Sequence, residues 1–133
     1  MTGTPLIVSL PIADRRRSFA FYQRAFGFAA VGEPAEDGVP EPLQLAPNDG
    51  VRIMLVPTGG FGWVLGDRVA APAGTSECVL NLTAGSPAEV DEIVERATAA
   101  GAEPVTAPGR QPWGYAGSLA DPDGHVWMVT APR

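Results

Sequence analysis

Side chains that could do chemistry are few in this sequence, and they lie apart along the chain. Glu77 precedes an apolar segment in the second half, and His125, the only histidine, precedes another near the end. Cys78 is the only cysteine, which excludes an intrachain disulfide. Because Cys78 alternates with Glu77 along a strand, the two side chains should point to opposite faces. The sequence therefore gives no cysteine–histidine pair for nucleophilic catalysis.

Glu77 is the candidate catalytic residue, and two interpretations of it are open. If it faces a cavity, its carboxylate could receive the amine or guanidine of a ligand, or act as a general base with a pKa raised by desolvation. Otherwise it is a solvated carboxylate at the entrance of a strand, because most glutamates are exposed. His125 has a simpler interpretation, since a lone histidine at a strand start is more often structural than a ligand.

The composition favours one globular domain in the cytoplasm. The chain has 133 residues, of which 45% are hydrophobic, and its 16 glycines and 14 prolines imply many turns between short elements. A net charge of −6 repels phosphate backbones, so we expect no nucleic-acid partner. No apolar stretch approaches the ~20 residues of a membrane span. The basic cluster at 15–17 follows the first apolar run, so neither a membrane nor a secretory signal is indicated.

The first half of the chain predicts a strand, a helix and further strands. Alternating apolar residues indicate a strand over 6–12, and Asp14 can cap a helix over 15–26. The arginines at 15–17 are then a solvated helix start, and the buried stripe of the helix should consist of Phe19, Tyr22 and Phe26. We expect short strands near 28–32, 42–47 and 51–57.

The second half predicts the same succession of elements. Ser86-Pro87-Ala88-Glu89 forms a capping box for a helix over 87–100. We expect strands near 79–83, 103–106, 113–120 and 125–131, and the turn residues at 121–124 join the last two. The two halves align at a spacing of 74 residues, which pairs Phe19 with Ile93, Ala20 with Val94, and Gly27 with Gly101.

Three segments of the chain carry a resemblance to a known family. They are Ile12-Ala13-Asp14 with Arg17-Ser18-Phe19 and Phe21-Tyr22, Ala88-Glu89-Val90 through Gly101-Ala102, and Asp121-Pro122-Asp123-Gly124-His125-Val126-Trp127. In this order and spacing they resemble the vicinal oxygen chelate superfamily, which contains glyoxalases, bleomycin resistance proteins and extradiol dioxygenases. The resemblance implies an α+β fold, with two βαβββ modules forming curved mixed sheets around a central cleft. One domain over 1–133 would comprise module 1 at about 5–60, a connecting loop at about 58–76 and module 2 at about 77–133.

Catalytic members of that family hold a divalent metal ion with His and Glu side chains. The resemblance places the four ligand positions on Ile7, Met54, Glu77 and Met128. Only Glu77 offers a ligand that such metals bind, because alkyl and thioether groups do not replace imidazole or carboxylate. We therefore expect no metal and no cofactor.

The resemblance also indicates which residues would face the cleft. Since position 128 faces inward, strand alternation places His125 with Trp127 on the opposite face. The expected ligand-binding residues are Ile7, Ser9, Arg52, Met54, Phe61, Trp63, Glu77, Asn81, Trp113, Tyr115 and Met128. Alternatively, these residues fill a closed core, or Phe61 and Trp63 pack across a dimer interface.

Three functions follow from these expectations. The leading hypothesis is a metal-free protein that binds a hydrophobic or aromatic antibiotic or metabolite and forms a homodimer, as the resemblance implies. The alternative is a metal-dependent lyase, epimerase or dioxygenase of the same superfamily. A third possibility is a metal-independent isomerase or hydrolase with Glu77 as general base.

Overall fold

The computed structural model describes residues 4–132, which form two compact units. The first contains the chain up to Gln23 together with Gly27–Ala70, and the second contains Arg24–Phe26 together with the chain from Ala71 onward. The elements of the first unit are β1 (Leu6–Ile12), α1 (Arg15–Ala25), β2 (Ala29–Ala30), β3 (Leu43–Asn48), β4 (Val51–Pro57) and α2 (Thr58–Leu65). The second unit contains β5 (Leu80–Thr83), α3 (Pro87–Ala99), β6 (Glu103–Gln111), β7 (Gly114–Ala120) and β8 (Val126–Ala131).

Each unit carries a four-stranded mixed sheet, and the two sheets have the same topology. The strand orders are β1-β4-β3-β2 and β5-β8-β7-β6. In each sheet the first strand pairs in parallel with the last, and the other pairs are antiparallel. The predicted α+β fold with two βαβββ modules is therefore confirmed. No helix within residues 4–132 is long and apolar enough to cross a lipid bilayer.

Side-chain caps fix the starts of the two module helices. Asp14 Oδ1 accepts hydrogen bonds from the backbone N–H groups of Arg16 and Arg17, at 2.9 and 3.2 Å. Ser86 Oγ accepts from the backbone N–H of Glu89 at 3.2 Å, as the capping box predicts. The Glu89 carboxylate accepts a hydrogen bond from the backbone N–H of Gly85 instead of from that of Ser86. Both helices therefore begin where the sequence predicts.

The buried stripe of α1 differs from the predicted one. Tyr22 is buried as expected, but its buried companions are Ser18, Phe21 and Ala25, while Phe19 and Phe26 are only partly buried. The actual stripe keeps the helical spacing of three and four residues. The prediction favoured the large aromatic residues and passed over two small ones. In α3 the buried residues Val90, Val94 and Ala97 follow the same spacing.

Two other elements differ from their predicted extent. The stretch at 58–76 was expected to be a loop, but its first part forms α2 over Thr58–Leu65. Three glycines weaken its intrinsic helix preference, which is why the sequence was interpreted as a loop there, and none of the helix residues is buried. The strand expected at 103–106 continues as β6 to Gln111, because an edge strand tolerates the prolines at 104 and 108.

Candidate functional site

A cavity of about 350 Å³ lies within the first unit. It is bounded by strands β1, β3 and β4, by α2, by the first residue of α1 and by the segment that precedes β3. Its lining residues are Ser9, Arg15, Glu41, Pro42, Leu43, Met54, Leu55, Val56, Pro57, Phe61 and Val64. This composition makes the wall predominantly apolar, with polar groups confined to three side chains.

Strand alternation explains how the sheet contributes to the cavity. In β1 and β4, Leu10, Ile53 and Leu55 are buried, whereas the alternating residues Ser9 and Met54 are less so. Ser9 and Met54 are direct partners in the parallel pairing of β1 with β4. Their side chains therefore leave the sheet on the same, less buried face. A small hydroxyl beside a flexible thioether leaves space on that face for a ligand.

Helix α2 supplies the opposite apolar wall. It follows β4 directly and packs against β1 and β4. Phe61 and Val64 are three residues apart, so they share one face of the helix, and both line the cavity. Trp63 is two positions from Phe61, which turns it to the other side, and 84% of its surface is exposed.

Arg15 fixes the segment that forms the polar end of the cavity. Its Nη1 donates to Asp37 Oδ2 at 2.7 Å, and its Nη2 donates to the carbonyl oxygens of Val39 and Pro40 at 2.9 and 2.8 Å. The Arg15 side chain is only 19% exposed. One guanidinium group thus ties the start of α1 to residues 37–40, which lead directly into Glu41 and Pro42 in the cavity wall.

The two carboxylates at this end of the cavity, those of Asp37 and Glu41, have different surroundings. The backbone N–H of Val39 donates to Asp37, and together with the Arg15 guanidinium it lowers the pKa of the Asp37 carboxyl. Glu41 Oε2 lies 3.8 Å from Arg15 Nη2, which is too long for a hydrogen bond, and its side chain is 68% exposed. Among the described residues, the buried Nε of Arg15 has no hydrogen-bond acceptor.

Of the expected ligand-binding residues in the first unit, three line this cavity and three do not. Ser9, Met54 and Phe61 line the cavity. Ile7 and Arg52 pair with each other two residues before Ser9 and Met54 on the same strands, and they are not among the lining residues. Trp63 points away from the cavity wall that Phe61 and Val64 form.

The expected residues of the second unit lie in other surroundings. Asn81 and Met128 pair directly between β5 and β8, and Trp113 is exposed in the β6–β7 turn. Glu77 is exposed in the segment before β5. Tyr115 donates its phenol to Asp91 Oδ1 on α3 at 2.6 Å, and this bond raises the pKa of Tyr115. Its hydroxyl is therefore held by α3.

The family's metal-ligand positions do not fit a metal ion. Of Ile7, Met54, Glu77 and Met128, only Glu77 carries a hard donor, and it is exposed. Within residues 4–132, no three His, Cys, Asp or Glu side chains converge in a way that could hold an ion. A stable divalent site needs three or four such ligands.

Sequence reasoning missed Arg15, Glu41, Pro42 and Val64. Arg15 was interpreted as part of a solvated helix start, but it is the most buried member of its arginine cluster. Arg15 and Asp37 are 22 residues apart, so no local pattern connects them. The one available signal was the spacing of Val64 from Phe61, which a helical interpretation of 58–65 would have revealed.

Comparisons with known proteins agree with the fold. Among solved structures, a glyoxalase-related enzyme from Fulvimarina pelagi is 27% identical, with a TM-score of 0.81 over 96% of this chain and 87% of that one. TioX from Micromonospora sp. ML1 is 26% identical, with a TM-score of 0.70 over 98% and 100% of the two chains. TnmS3, an antibiotic binding protein from Streptomyces sp. CB03234, is 25% identical, with a TM-score of 0.66 over 100% and 99%.

The amino-acid sequence identifies the family of the chain, although it resembles no curated protein closely. No curated protein matches the sequence. Residues 6–129 match the Glyoxalase/Bleomycin resistance protein/Dioxygenase superfamily, which spans nearly all of both βαβββ modules. The chain therefore belongs to the Glyoxalase/Bleomycin resistance protein/Dioxygenase superfamily.

Proposed function

We propose that this protein binds a small apolar or aromatic molecule without a metal ion, in the cavity of the first unit. The observation that carries this proposal is the apolar wall formed by Met54, Phe61 and Val64 around a volume of about 350 Å³. Ligand pockets usually have volumes of roughly 300–1,000 Å³ and similar linings. A phenylalanine ring stacks on flat molecules, and a methionine adapts to their outline.

An antibiotic is the first ligand class to test. TnmS3 is an antibiotic binding protein, and this chain resembles it along its whole length. A hydrophobic or aromatic metabolite would suit the same wall. We therefore propose a role in sequestering such a molecule.

Filling the cavity provides the direct test. Ser9→Phe places a ring beside Met54, and we expect it to weaken binding of polycyclic aromatic antibiotics by at least about tenfold, measured by tryptophan quenching. Thr83→Phe is the matched control, because the 74-residue repeat makes Thr83 the counterpart of Ser9 in the second unit and its side chain is exposed. Equal affinities of Ser9→Phe and wild type would show that the ligand does not bind in this cavity.

The competing function is a metal-dependent lyase, epimerase or dioxygenase. The 27% identity to a glyoxalase-related enzyme keeps this alternative open. Against it stands the donor chemistry of Ile7, Met54 and Met128, which cannot support a hard divalent ion. We expect elemental analysis of dialysed protein to find no stoichiometric Zn, Ni, Fe or Mn. If the protein held about one metal ion per chain and Glu77→Gln lost it, the metal-dependent enzyme would be the better assignment.

The proposal includes a homodimer in the cytoplasm. Helix α2 carries two large apolar side chains that are exposed, those of Trp63 and Val64. No residue of this helix is buried in the described chain. Exposed apolar groups of this kind favour association. A single cysteine is consistent with a reducing compartment. Light scattering should give twice the chain mass at micromolar concentration, and Trp63→Glu should lower that value.

A further inference from the structure

The polar end of the cavity points to the charge of the ligand. We infer that the ligand is an apolar molecule with a positively charged nitrogen, which binds the Glu41 carboxylate. This inference rests on the proposed binding function and specifies its ligand class. The competing assignment would be an anionic ligand held by Arg15, since Arg15 and Glu41 are the only charged residues among those lining the cavity.

Arg15 is already engaged by the protein. Its Nη1 donates to Asp37, and its Nη2 donates to two backbone carbonyl oxygens at 2.9 and 2.8 Å. An anion that recruited these donors would have to displace Asp37 or leave the carbonyl of residue 40 without a donor, whereas the Val39 carbonyl also accepts from the Ala35 N–H. Two of its five N–H donors are left: Nε, which is buried, and one N–H of Nη1, the nitrogen that already donates to Asp37. Arg15 thus serves to hold the wall, and an anionic ligand gains little from it.

Glu41 has the opposite properties. Its nearest cation is Arg15 Nη2 at 3.8 Å, its side chain is 68% exposed, and it lines the cavity. A carboxylate has several lone-pair positions, and this one keeps them available for a donor group. An ammonium group has donors and no acceptor, which complements such a carboxylate.

The charges around the cavity also favour a cation. Arg15 contributes one positive charge, while Asp37 and Glu41 contribute two negative ones. Arg16 reaches Asp37 only at 4.0 Å and is 72% exposed, so solvent screens most of its effect. The whole chain has a net charge of −6, which attracts cations over longer distances.

Three probes that share one ring system separate the charge from the apolar contact. Naphthylmethylamine is cationic at pH 7, naphthylmethanol is neutral and naphthoate is anionic. Titration calorimetry should give the order amine, alcohol, carboxylate, with the amine about fivefold tighter than the alcohol, as a partly exposed ion pair allows. Higher salt should reduce the advantage of the amine.

Two acid-to-amide variants locate the effect. Glu41→Gln should remove the advantage of the amine and leave the alcohol unchanged. Glu36→Gln changes the net charge equally, but Glu36 is exposed and is not among the lining residues, so it should leave that advantage intact. If the alcohol binds in the cavity while the amine gains nothing, or keeps its gain in Glu41→Gln, the inference is wrong and the proposed function stands. If naphthoate binds best, the inference is also wrong. If none of the three binds and Ser9→Phe changes no antibiotic affinity, both proposals fail.

Discussion

The two units share one topology, yet they use the segment after the module helix differently. In the second unit this segment becomes β6, a nine-residue strand that pairs with β7 along most of its length. In the first unit the equivalent β2 has two residues and two pairs with β3. The rest of that segment, residues 31–42, has no strand residues; after one hydrogen bond from the Val31 N–H to the Gln44 carbonyl of β3, it leaves the sheet and supplies Glu41 and Pro42 to the cavity wall. A short strand thus leaves backbone available to build a site.

Backbone outside a sheet needs another source of order, and Arg15 provides it. In β6, an edge strand, the ladder with β7 pairs the backbone groups on one side. In the segment at 31–42, two of the carbonyls accept from the Arg15 guanidinium instead. The first unit therefore depends on one side chain where the second depends on regular pairing, and this difference can be tested.

The largest expected effect comes from removing that side chain. Arg15→Ala leaves the carbonyl of residue 40 without its donor and removes one of the donors to Asp37 and to the Val39 carbonyl, which keep the N–H groups of Val39 and Ala35. It should lower the free energy of unfolding by about 2 kcal/mol. Ligand affinity should fall with it, because Glu41 and Pro42 lose their anchor. Arg24→Ala, an exposed arginine of the same helix, is the control and should change urea unfolding little. Equal effects of the two variants would show that the segment does not depend on Arg15.

A smaller effect is expected in α2, which has no counterpart in the second unit. A methyl group at Gly59 or Gly62 would meet no atom within 4 Å, whereas one at Gly60 would lie 3.2 Å from Val56 Cγ1. Gly59→Ala and Gly62→Ala should each stabilise the helix by about 1 kcal/mol, and their amide protons should exchange more slowly. Gly60→Ala is the matched case in which crowding against Val56 opposes the same gain. Identical exchange rates in all three variants would mean that α2 does not open independently.

The fold was accessible from the sequence because its signals are local. Alternating apolar residues, the caps at Asp14 and Ser86, and the turn at 121–124 each specify an element within a few residues. The family resemblance, together with strand alternation, placed Ser9 and Met54 on the face toward the cleft. The polar end of the site was not accessible in this way. Arg15 meets residues 22 to 25 positions away, in a segment rich in Pro, Gly and acid that has no periodicity. Only the tertiary fold brings the two together.

The smallest effect concerns the side-chain bond that ties sheet and helix in the second unit. Tyr115 donates to Asp91 at 2.6 Å, and this bond favours the neutral phenol and raises the pKa of Tyr115 above its ordinary value of 10.0. A folded-state pKa above the unfolded one means that the bond stabilises the fold fully below pH 10 and loses that contribution as pH rises through the raised pKa. Tyr115→Phe should therefore lower the urea midpoint slightly at pH 7, and the difference from wild type should shrink above pH 10. Ligand affinity at the first-unit cavity should not change. A difference that stays constant with pH would mean that packing of the ring, not the hydroxyl bond, makes the contribution.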